Sequence, residues 1–367
     1  MDELALAQRL IAFDTSNAEG LRRAAEFVGG WLESNDIKAS QTESRGLPVT
    51  TAEVGPADAP TLVLHGHLDV VPGGREQFEP RIEGDQLLGR GSYDMKGALA
   101  VMLVVLHDLR DQEDVRLRLG IVSDEESEEE DNRGSDALVE AGFLGDFALT
   151  GEPTDLQIGV QAKGVLAIRL EVSGVAAHGA TPWLGDNAVL KALGVFRSIE
   201  SLPFTRQSSD LFDRPSINLG RIWGGDALNK VPDTCVIDVD VRFLPEQDPE
   251  AILEQVRDLP DTRLVSTFRR PPAVVEPDSG FVRALAEAAA PHHPERVMSV
   301  GRDGASDVVS FLRVGVPAVE FGPVGGGHHG PEEWVSVSSL SAYRKALTDF
   351  VRSLPAAADA DSDGKGA

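Results

Sequence analysis

The chain contains one cysteine and no long apolar run, and both absences limit what it can be. The single cysteine, Cys235, excludes an internal disulfide and a metal site built from cysteines. No apolar run approaches the roughly 20 residues that a membrane-spanning helix requires. The first residues, Met1-Asp2-Glu3-Leu4, lack the basic and then apolar order of a signal peptide. We therefore expect a cytoplasmic protein.

Basic residues are also scarce. Lys and Arg total 34 against 60 Asp and Glu, so the formal net charge of the 367 residues is −26. This charge argues against binding to nucleic acid through its phosphates. The carboxylates are spread along the chain, which is typical of proteins from a high-salt cytoplasm, where screening reduces self-repulsion. We expect a halophilic protein that binds neither nucleic acid nor membrane.

The sequence does contain a regular alternation of strand and helix patterns, over a length typical of roughly two domains. Up to about Gly164, short apolar runs alternate with helical periodicities, which predicts an α/β fold with a mostly parallel sheet. From Gly164 the order strand-helix-strand-strand-helix-strand predicts a small α+β domain of the ferredoxin-like type. After Pro271-Pro272 the α/β pattern resumes, so the small domain is inserted into the large one.

These changes divide the chain into four parts. We expect the first part of a catalytic domain over residues 1–163 and an inserted domain over 164–271. The second part of the catalytic domain is expected over 272–354. Residues 355–367, rich in Ala, Asp and Gly, are predicted to be disordered.

The segment Leu62–Val70 reads Leu-Val-Leu-His-Gly-His-Leu-Asp-Val, an apolar strand that ends on polar side chains. Open α/β sheets place their functional groups at the carboxyl ends of strands. His67 and Asp69 are two residues apart and share one face of an extended backbone. A carboxylate beside an imidazole can fix the tautomer of a metal-ligating histidine. Taken alone, His67 could instead be a histidine near a strand end whose ring is hydrogen-bonded within the protein and binds no metal.

Four further junctions between a strand and a loop carry metal-capable residues, namely Asp94, Glu125-Glu126, Glu152 and, in a glycine-rich loop, His328-His329. Imidazole and carboxylate without thiolate suit zinc in a catalytic site, with cobalt or manganese as alternatives. The set is too large for one tetrahedral ion. It suits a pair of ions about 3.5–4 Å apart that share a bridging carboxylate.

Several of these residues also have an ordinary structural alternative. Asp94 could cap the apolar helix that follows it, and Glu152 could be a turn carboxylate. Glu125 and Glu126 could belong to the acidic run that continues after them, a solvated-surface interpretation that we accept for Glu128–Asp131. Because coincidence at five junctions is improbable, the metal site is the favoured hypothesis.

Five motifs together resemble the co-catalytic zinc amidohydrolase family, which includes succinyl-diaminopimelate desuccinylase, acetylornithine deacetylase, aminoacylase and the glutamate carboxypeptidases. The motifs are Gly66–Pro72, Gly89–Gly97, Ser123–Glu126, Gly151–Thr154 and the final His-Gly-Pro-Glu-Glu. The resemblance extends to about Leu354. It implies a metal-dependent catalytic domain and, in the inserted domain, a lid through which two subunits form a homodimer.

The resemblance implies two zinc ions per subunit. Their ligands would be His67, Asp94, Glu126, Glu152 and His329. Asp94 would bridge the ions, with His67 and Glu152 on one side. Glu126 and His329 would hold the second ion. His328 is the alternative ligand, but only His329 has the spacing to Glu333 that matches the family pattern.

The resemblance also implies catalytic roles. Asp69 would orient His67, and Glu125 would act as the general base that takes a proton from water and returns it to the leaving amine. His178 would hydrogen-bond the oxyanion in the partner subunit's active site. Its alternative is a surface histidine at a strand end.

Two further residues of the inserted domain would bind the substrate, namely Asn229 and Arg242. The guanidinium of Arg242 offers a fork that suits a carboxylate. The alternative is a structural pairing of Arg242 with Asp238 or Asp240. The segment Arg302–Asp307 resembles a loop on the substrate side of the family's active site, and the resemblance does not indicate which substrate atoms it contacts.

The sequence therefore predicts a metal-dependent amidohydrolase that acts on a small anionic N-acyl amino acid or peptide. The stretch Asp69–Gly97 is most similar to desuccinylases, so the specific expectation is N-succinyl-diaminopimelate, in the route to lysine. Alternatives within the family are an acetylornithine deacetylase and a dipeptidase or carboxypeptidase. A non-catalytic metal-binding scaffold and a serine hydrolase are alternatives from other classes. The pair Glu125-Glu126 argues against the scaffold, and the lack of Gly-x-Ser-x-Gly argues against the serine hydrolase.

Overall fold

The computed structural model describes residues 2–127, 133–293 and 297–364, of which 359–364 are described by their backbone alone. It divides into two compact units, which we call unit 1 and unit 2. Unit 1 comprises the described parts of Met1–Val160, Val275–Val300 and Asp307–Ala367, and unit 2 comprises Gln161–Val274 and Gly301–Ser306. The sequence predicts an inserted domain over 164–271 and gives no indication of the second segment of unit 2. The acidic run Glu128–Asp131 lies outside the described residues.

The bounds of the strands are as follows. They are β1 (Ala39–Ser44), β2 (Leu47–Val54), β3 (Thr61–His67), β4 (Arg81–Glu83), β5 (Gln86–Leu88), β6 (Arg116–Val122), β7 (Phe147–Thr150), β8 (Ile158–Ala162), β9 (Gly164–Ser173), β10 (Ser216–Gly224), β11 (Thr234–Phe243), β12 (Thr262–Arg270), β13 (Ala273–Val274), β14 (Ser299–Arg302), β15 (Ala318–Glu320), β16 (Gly325–Gly326) and β17 (Trp334–Ser336).

The helices often begin after a residue whose side chain accepts a hydrogen bond from the first turn, as Asp2, Asn17, Asn187, Asp248 and Ser279 do. Their bounds are α1 (Glu3–Ile11), α2 (Ala18–Ser34), α3 (Gly97–Asp108), α4 (Gly134–Glu140), α5 (Ala188–Ile199), α6 (Pro249–Arg257), α7 (Gly280–Ala289), α8 (Val308–Leu312) and α9 (Val337–Gly364). Among the described residues, no helix combines the length and the apolar composition that crossing a bilayer requires.

Unit 1 is an α/β structure around a mixed sheet with the order β1-β2-β6-β3-β7-β15-β8. The adjacent pairs from β6 to β15 are parallel, whereas β1, β2 and β8 join antiparallel. Every residue of β3 is buried, as expected for a strand covered on both faces. The prediction of an α/β fold with a mostly parallel central sheet is confirmed.

The apolar helix α3 lies at the centre of unit 1. Its residues from Gly97 to Leu106 are all buried. It packs on β3 and β6 and also contacts α1 and α9, so it has no solvated face. This packing fixes the chain immediately after the motif that contains Asp94.

The last helix differs from the expectation of a disordered tail from Pro355 onward. α9 continues through Pro355 and is described as far as Gly364, while residues 365–367 lie outside the described part of the chain. Leu354 and Ala357 are buried, so packing supports the helix on both sides of the proline.

Unit 2 has the predicted order β9-α5-β10-β11-α6-β12. Its sheet is antiparallel with the order β10-β11-β9-β12. One face of the sheet and the helices α5 and α6 form a single apolar core, to which β9 contributes every second residue from Leu166 to Val172. The prediction of a ferredoxin-like α+β arrangement is confirmed.

Candidate metal centre

The carboxyl ends of three parallel strands place the first functional residues. His67 is the last residue of β3, and Glu152 lies two residues beyond the end of β7. Glu125 and Glu126 follow β6, after the turn at Ser123-Asp124. Because these strands are neighbours, their carboxyl ends lie at one edge of the sheet.

A small second sheet places the other functional loops. In its order, β16-β17-β5-β4, β5 leads into the loop that carries Asp94 and β16 leads into the loop that carries His329. β17 pairs with both β16 and β5. The two loops are therefore side by side although they are more than 200 residues apart in the chain.

The first donor group consists of His67, Asp94 and Glu152. The Nε2 atom of His67 lies 3.3 Å from Oδ1 of Asp94 and 3.6 Å from Oε1 of Glu152. All three atoms are buried, and none of them forms a hydrogen bond with another described residue. Because a buried polar atom without a partner costs free energy, this convergence of three such atoms fits a bound cation.

The second donor group consists of Asp94, Glu126 and His329. The Nε2 atom of His329 lies 3.0 Å from Oε1 of Glu126 and 3.4 Å from Oδ2 of Asp94. The ring of His328 instead packs edge-on against Tyr93. Asp94 thus offers one oxygen to each group, and of the two adjacent histidines His329 joins the second group.

Asp94 does not serve as the helix cap that was its structural alternative. α3 begins at Gly97, and the residue that precedes it is Lys96, whose side chain makes no cap hydrogen bond. The main-chain N–H of Asp94 donates to the carboxylate of Glu333. The carboxylate of Asp94 itself lies beside the rings of His67 and His329.

The ring of His67 is oriented by Asp69, but through its main chain. Nδ1 of His67 donates to the carbonyl oxygen of Asp69 at 2.9 Å, while the Asp69 carboxylate lies 3.5 Å away. That carboxylate accepts the N–H of Glu126 at 2.7 Å instead. β3 ends at His67, so the extended backbone assumed from the sequence does not reach Asp69. The hydrogen bond at Nδ1 leaves Nε2 as the donor atom for a metal.

The charges in this centre favour a cation. Burial lowers the pKa of His67, but the carboxylates of Asp69, Asp94 and Glu152 outweigh it and hold that pKa well above its ordinary value. Asp94 and Glu126 raise the pKa of His329 to about 10. Burial, followed by repulsion from Asp94, raises the pKa of Glu152 well above its ordinary value. Positive charge is therefore stabilised here, and carboxylate charge is in excess.

Glu125 lies beside these groups and belongs to neither of them. Its carboxylate is 3.5 Å from the guanidinium of Arg133. Burial, followed by repulsion from Asp307, raises the pKa of Glu125 to about 8. A carboxyl group with a raised pKa at the edge of a metal site can both accept and return a proton near neutral pH.

The comparisons with known proteins agree with this geometry. Residues 63–353 match the family described as Peptidase family M20/M25/M40. The chain belongs to this family. It is therefore a hydrolytic enzyme of the M20 family, whose members use metal ions.

Individual M20 relatives cover nearly the whole chain. A succinyl-diaminopimelate desuccinylase from Leptothrix cholodnii is 29% identical over 368 aligned positions, covering 93% of this chain and 96% of the relative. An M20 family metallo-carboxypeptidase from Sulfolobus solfataricus has a similar fold, with a TM-score of 0.79, 19% identity and coverage of 97% and 100% of the two chains. A tripeptidase from Staphylococcus aureus gives a TM-score of 0.79, 19% identity and coverage of 96% and 98%.

Sequence reasoning missed two charged residues next to Glu125, namely Arg133 and Asp307. Arg133 is buried and lies between Glu125 and Asp307, whose carboxylate is 3.6 Å from the guanidinium. Asp307 also accepts a hydrogen bond from Ser135, and Ser135 contacts His65. Asp307, the last residue of the segment that resembles a substrate-side loop, is thus buried. No spacing in the sequence connects Arg133 with it.

In unit 2 the structure brings His178 and Asn229 together. The N–H of Gly179 donates to the carbonyl oxygen of Asn229 at 2.7 Å, and both His178 and Asn229 are exposed. Nδ1 of His178 accepts the N–H of Ala180 at 2.9 Å, so the ring proton of the neutral imidazole is on Nε2.

Arg242 forms the structural pair that the sequence left as an alternative. It lies in β11, and its Nε donates to the carboxylate of Asp240 at 3.0 Å. Asp238, the other candidate partner, is bound by Arg169.

Proposed function

We propose that this M20 enzyme is a dizinc amidohydrolase that removes the acyl group of an N-acyl amino acid. The observation that carries the proposal is the position of Asp94, whose two carboxylate oxygens lie 3.3 and 3.4 Å from the Nε2 atoms of His67 and His329. One carboxylate shared by two donor groups is the arrangement that a pair of ions about 3.5–4 Å apart requires. The imidazole and carboxylate donors favour zinc, with cobalt or manganese as alternatives.

The residues of the chain divide the catalytic work. When bound, the metal ions supply Lewis-acid chemistry, polarising an amide carbonyl and lowering the pKa of water. Glu125 is outside both donor groups, so its carboxylate keeps a lone pair that can accept a proton from the attacking water. The same carboxyl returns this proton to the amine nitrogen as the C–N bond breaks. The guanidinium of Arg133, 3.5 Å from the Glu125 carboxylate, would restrain that carboxylate.

Unit 2 supplies the proposed substrate contacts. The proton on Nε2 of His178 can be donated to the oxyanion of the tetrahedral intermediate, in the active site of a partner subunit. Asn229, adjacent to His178, and Arg242 would bind the polar groups of the substrate, and Arg242 would pair with a carboxylate. In a chain with a net charge of −26, such local positive charge is needed to attract an anionic substrate.

N-succinyl-diaminopimelate is the proposed substrate, and the similarity to a succinyl-diaminopimelate desuccinylase over 93% of the chain supports it. The test compares this compound with N-acetylornithine and simple dipeptides in zinc-containing buffer, before and after chelation. We expect the highest kcat/KM for N-succinyl-diaminopimelate. A preference for N-acetylornithine or a dipeptide would contradict the proposed substrate but would agree with the proposed amide hydrolysis. Hydrolysis that survives chelation would contradict the metal-dependent chemistry.

We also propose that the enzyme is a homodimer joined through unit 2. β10 is an edge strand of the sheet, and Ile222 and Trp223 on it are 39% and 47% exposed. On the neighbouring α5, Leu190 and Leu193 are 66% and 45% exposed. An open strand edge beside exposed leucines suits pairing with a second copy of the same surface.

The dimer predicts a sedimentation mass of twice the 39.2 kDa chain. Replacing Leu190 and Leu193 with Glu should convert it to a monomer, because like charges would then face each other across the interface. Ile82→Glu changes an apolar residue of unit 1 that is 47% exposed, close to the 45% of Leu193, and serves as the control. A wild-type protein that sediments as a monomer would contradict both the dimer and the role given to His178.

The acidic composition predicts stability that depends on salt. Raising KCl from low to multimolar concentration shortens the screening length from about 10 Å at 0.1 M to about 3 Å at 1 M. The repulsion among the carboxylates should therefore weaken, and the midpoint of urea unfolding should rise. Circular dichroism along a urea series at several KCl concentrations measures this change. A midpoint that does not respond to KCl would refute the halophilic interpretation.

A further inference from the structure

The two ligand loops are connected by a buried ion pair that belongs to neither donor group. Arg90 and Glu333 are 3% and 2% exposed, and Nη1 of Arg90 donates to Oε2 of Glu333 at 2.8 Å. Arg90 precedes Asp94 by four residues, and Glu333 follows His329 by four. The pair therefore joins the chain segments that carry two of the three residues of the second donor group.

Each member of the pair also binds the main chain of a ligand loop. Oε1 of Glu333 accepts the N–H groups of Tyr93 and Asp94, both at 3.1 Å. Nη2 of Arg90 donates to the carbonyl oxygen of His329 at 3.2 Å. The backbone is thus held at Asp94 by a carboxylate and at His329 by a guanidinium, and the two charged groups hold each other.

The surroundings restrict the pair itself. The main-chain N–H of Arg90 donates to the carbonyl oxygen of Gln77 at 2.8 Å. The side-chain amide of Gln77 donates to the carbonyl oxygens of Gly330 and Pro331. Gln77 therefore also links the segment of Arg90 to the loop of His329. This loop is held by hydrogen bonds from both Arg90 and Gln77.

Stability alone does not account for a charged pair at this place. A buried ion pair usually contributes little net stability compared with apolar residues of similar size, because both charges lose their hydration. Its hydrogen bonds to the main chain of Asp94 and His329 cannot be made by apolar side chains. These contacts indicate that the pair positions the residues of the metal centre.

We propose that Arg90 and Glu333 are positioning residues for the second metal ion, an inference that rests on the proposed dizinc function. They hold Asp94 and His329 at the spacing that the second donor group needs, with their side-chain atoms 3.4 Å apart. Ligands that are already ordered bind more tightly, because the free-energy cost of ordering them is not incurred at binding. The first group depends less on the pair, since His67 and Glu152 are placed by β3 and β7.

The test is a zinc titration of metal-free protein, with affinities measured by chelator competition and calorimetry. Wild-type protein should bind two ions per subunit. Glu333→Gln keeps the size of the side chain but removes its charge, and it should weaken binding of the second ion by about 10- to 100-fold. The neighbouring Glu332→Gln is the matched control, because Glu332 is 74% exposed and pairs with Arg81 outside the centre. This control should bind both ions as the wild type does.

A second variant separates positioning from folding. Glu333→Gln leaves Arg90 buried without its partner and can prevent folding. The double variant R90M/E333M removes both charges together and leaves neither buried alone. It should fold with a lower melting temperature, because the N–H groups of Tyr93 and Asp94 lose their acceptor, and it should show the same selective loss of the second ion. Wild-type affinity for both ions in either folded variant would overturn the proposal, as would equal weakening of both ions or failure of both variants to fold. A wild-type protein that binds one ion would instead contradict the dizinc function itself.

Discussion

Replacing Glu125 with Gln is expected to lower kcat by about 10²- to 10⁴-fold while the protein keeps its full metal content. Glu125 is adjacent to Glu126 in the chain but contributes to neither donor group. The amide of Gln has nearly the same shape as the carboxylate and cannot accept the proton of the attacking water. Steady-state kinetics with metal analysis of the same sample measures both quantities.

The matched control for this variant is Glu126→Gln. Oε1 of Glu126 lies 3.0 Å from Nε2 of His329, so this change should lower metal content as well as turnover. A comparison of the two adjacent residues therefore separates proton transfer from metal binding. Near-wild-type kcat for Glu125→Gln would show that another group is the base. Loss of metal from that variant would show that Glu125 acts as a ligand.

Removal of metal is expected to abolish hydrolysis completely and reversibly. In the proposed mechanism the metal ions would both polarise the amide carbonyl and lower the pKa of the attacking water. The hydrogen bond from His178 to the oxyanion would not activate the water. Dialysis against a strong chelator should give an inactive protein, and added Zn²⁺ should restore turnover. Because the ions bind the folded state, they should also raise the melting temperature, by an amount equivalent to about 2.7 kcal/mol for each ion whose free concentration is 100 times its dissociation constant.

His67→Ala provides the control for reactivation. His67 is fully buried and supplies Nε2 to the first donor group, so the variant should not regain activity at zinc concentrations that restore the wild type. Zinc-restored activity in this variant at wild-type metal concentrations would contradict the assignment of the first group. Activity in the chelated wild type would contradict the mechanism as a whole.

The sequence could predict the features that depend on local pattern. The apolar run that ends at His67 is typical of a buried parallel strand, and β3 is such a strand. Because strands of this kind end at one edge of a sheet, residues at the ends of separate strands could be expected to meet, and His67 and Glu152, at the ends of β3 and β7, do. Asp94 joins them from the loop after β5, in the small second sheet. The order of elements in unit 2 likewise determined its fold class, because few arrangements of that order bury one face of a sheet.

The features that the sequence could not predict depend on contacts between distant segments. The partner of Nδ1 of His67 is the main-chain oxygen of Asp69. This partner depends on the conformation of the turn after β3 and not on the type of residue at position 69. Arg90 and Glu333 are separated by 243 positions and meet only because β5 pairs with β17. The continuation of α9 through Pro355 depends on the burial of Ala357, which composition does not reveal.

The central claim is that separate segments of this chain hold two metal ions that share Asp94. The most direct test is anomalous diffraction at the zinc absorption edge, with crystals grown in the presence of zinc. We predict two peaks about 3.5–4 Å apart. One should lie beside His67 and Glu152, the other beside Glu126 and His329, with Asp94 between them. A single peak, or peaks at which these side chains are beyond coordinating distance, would contradict the account.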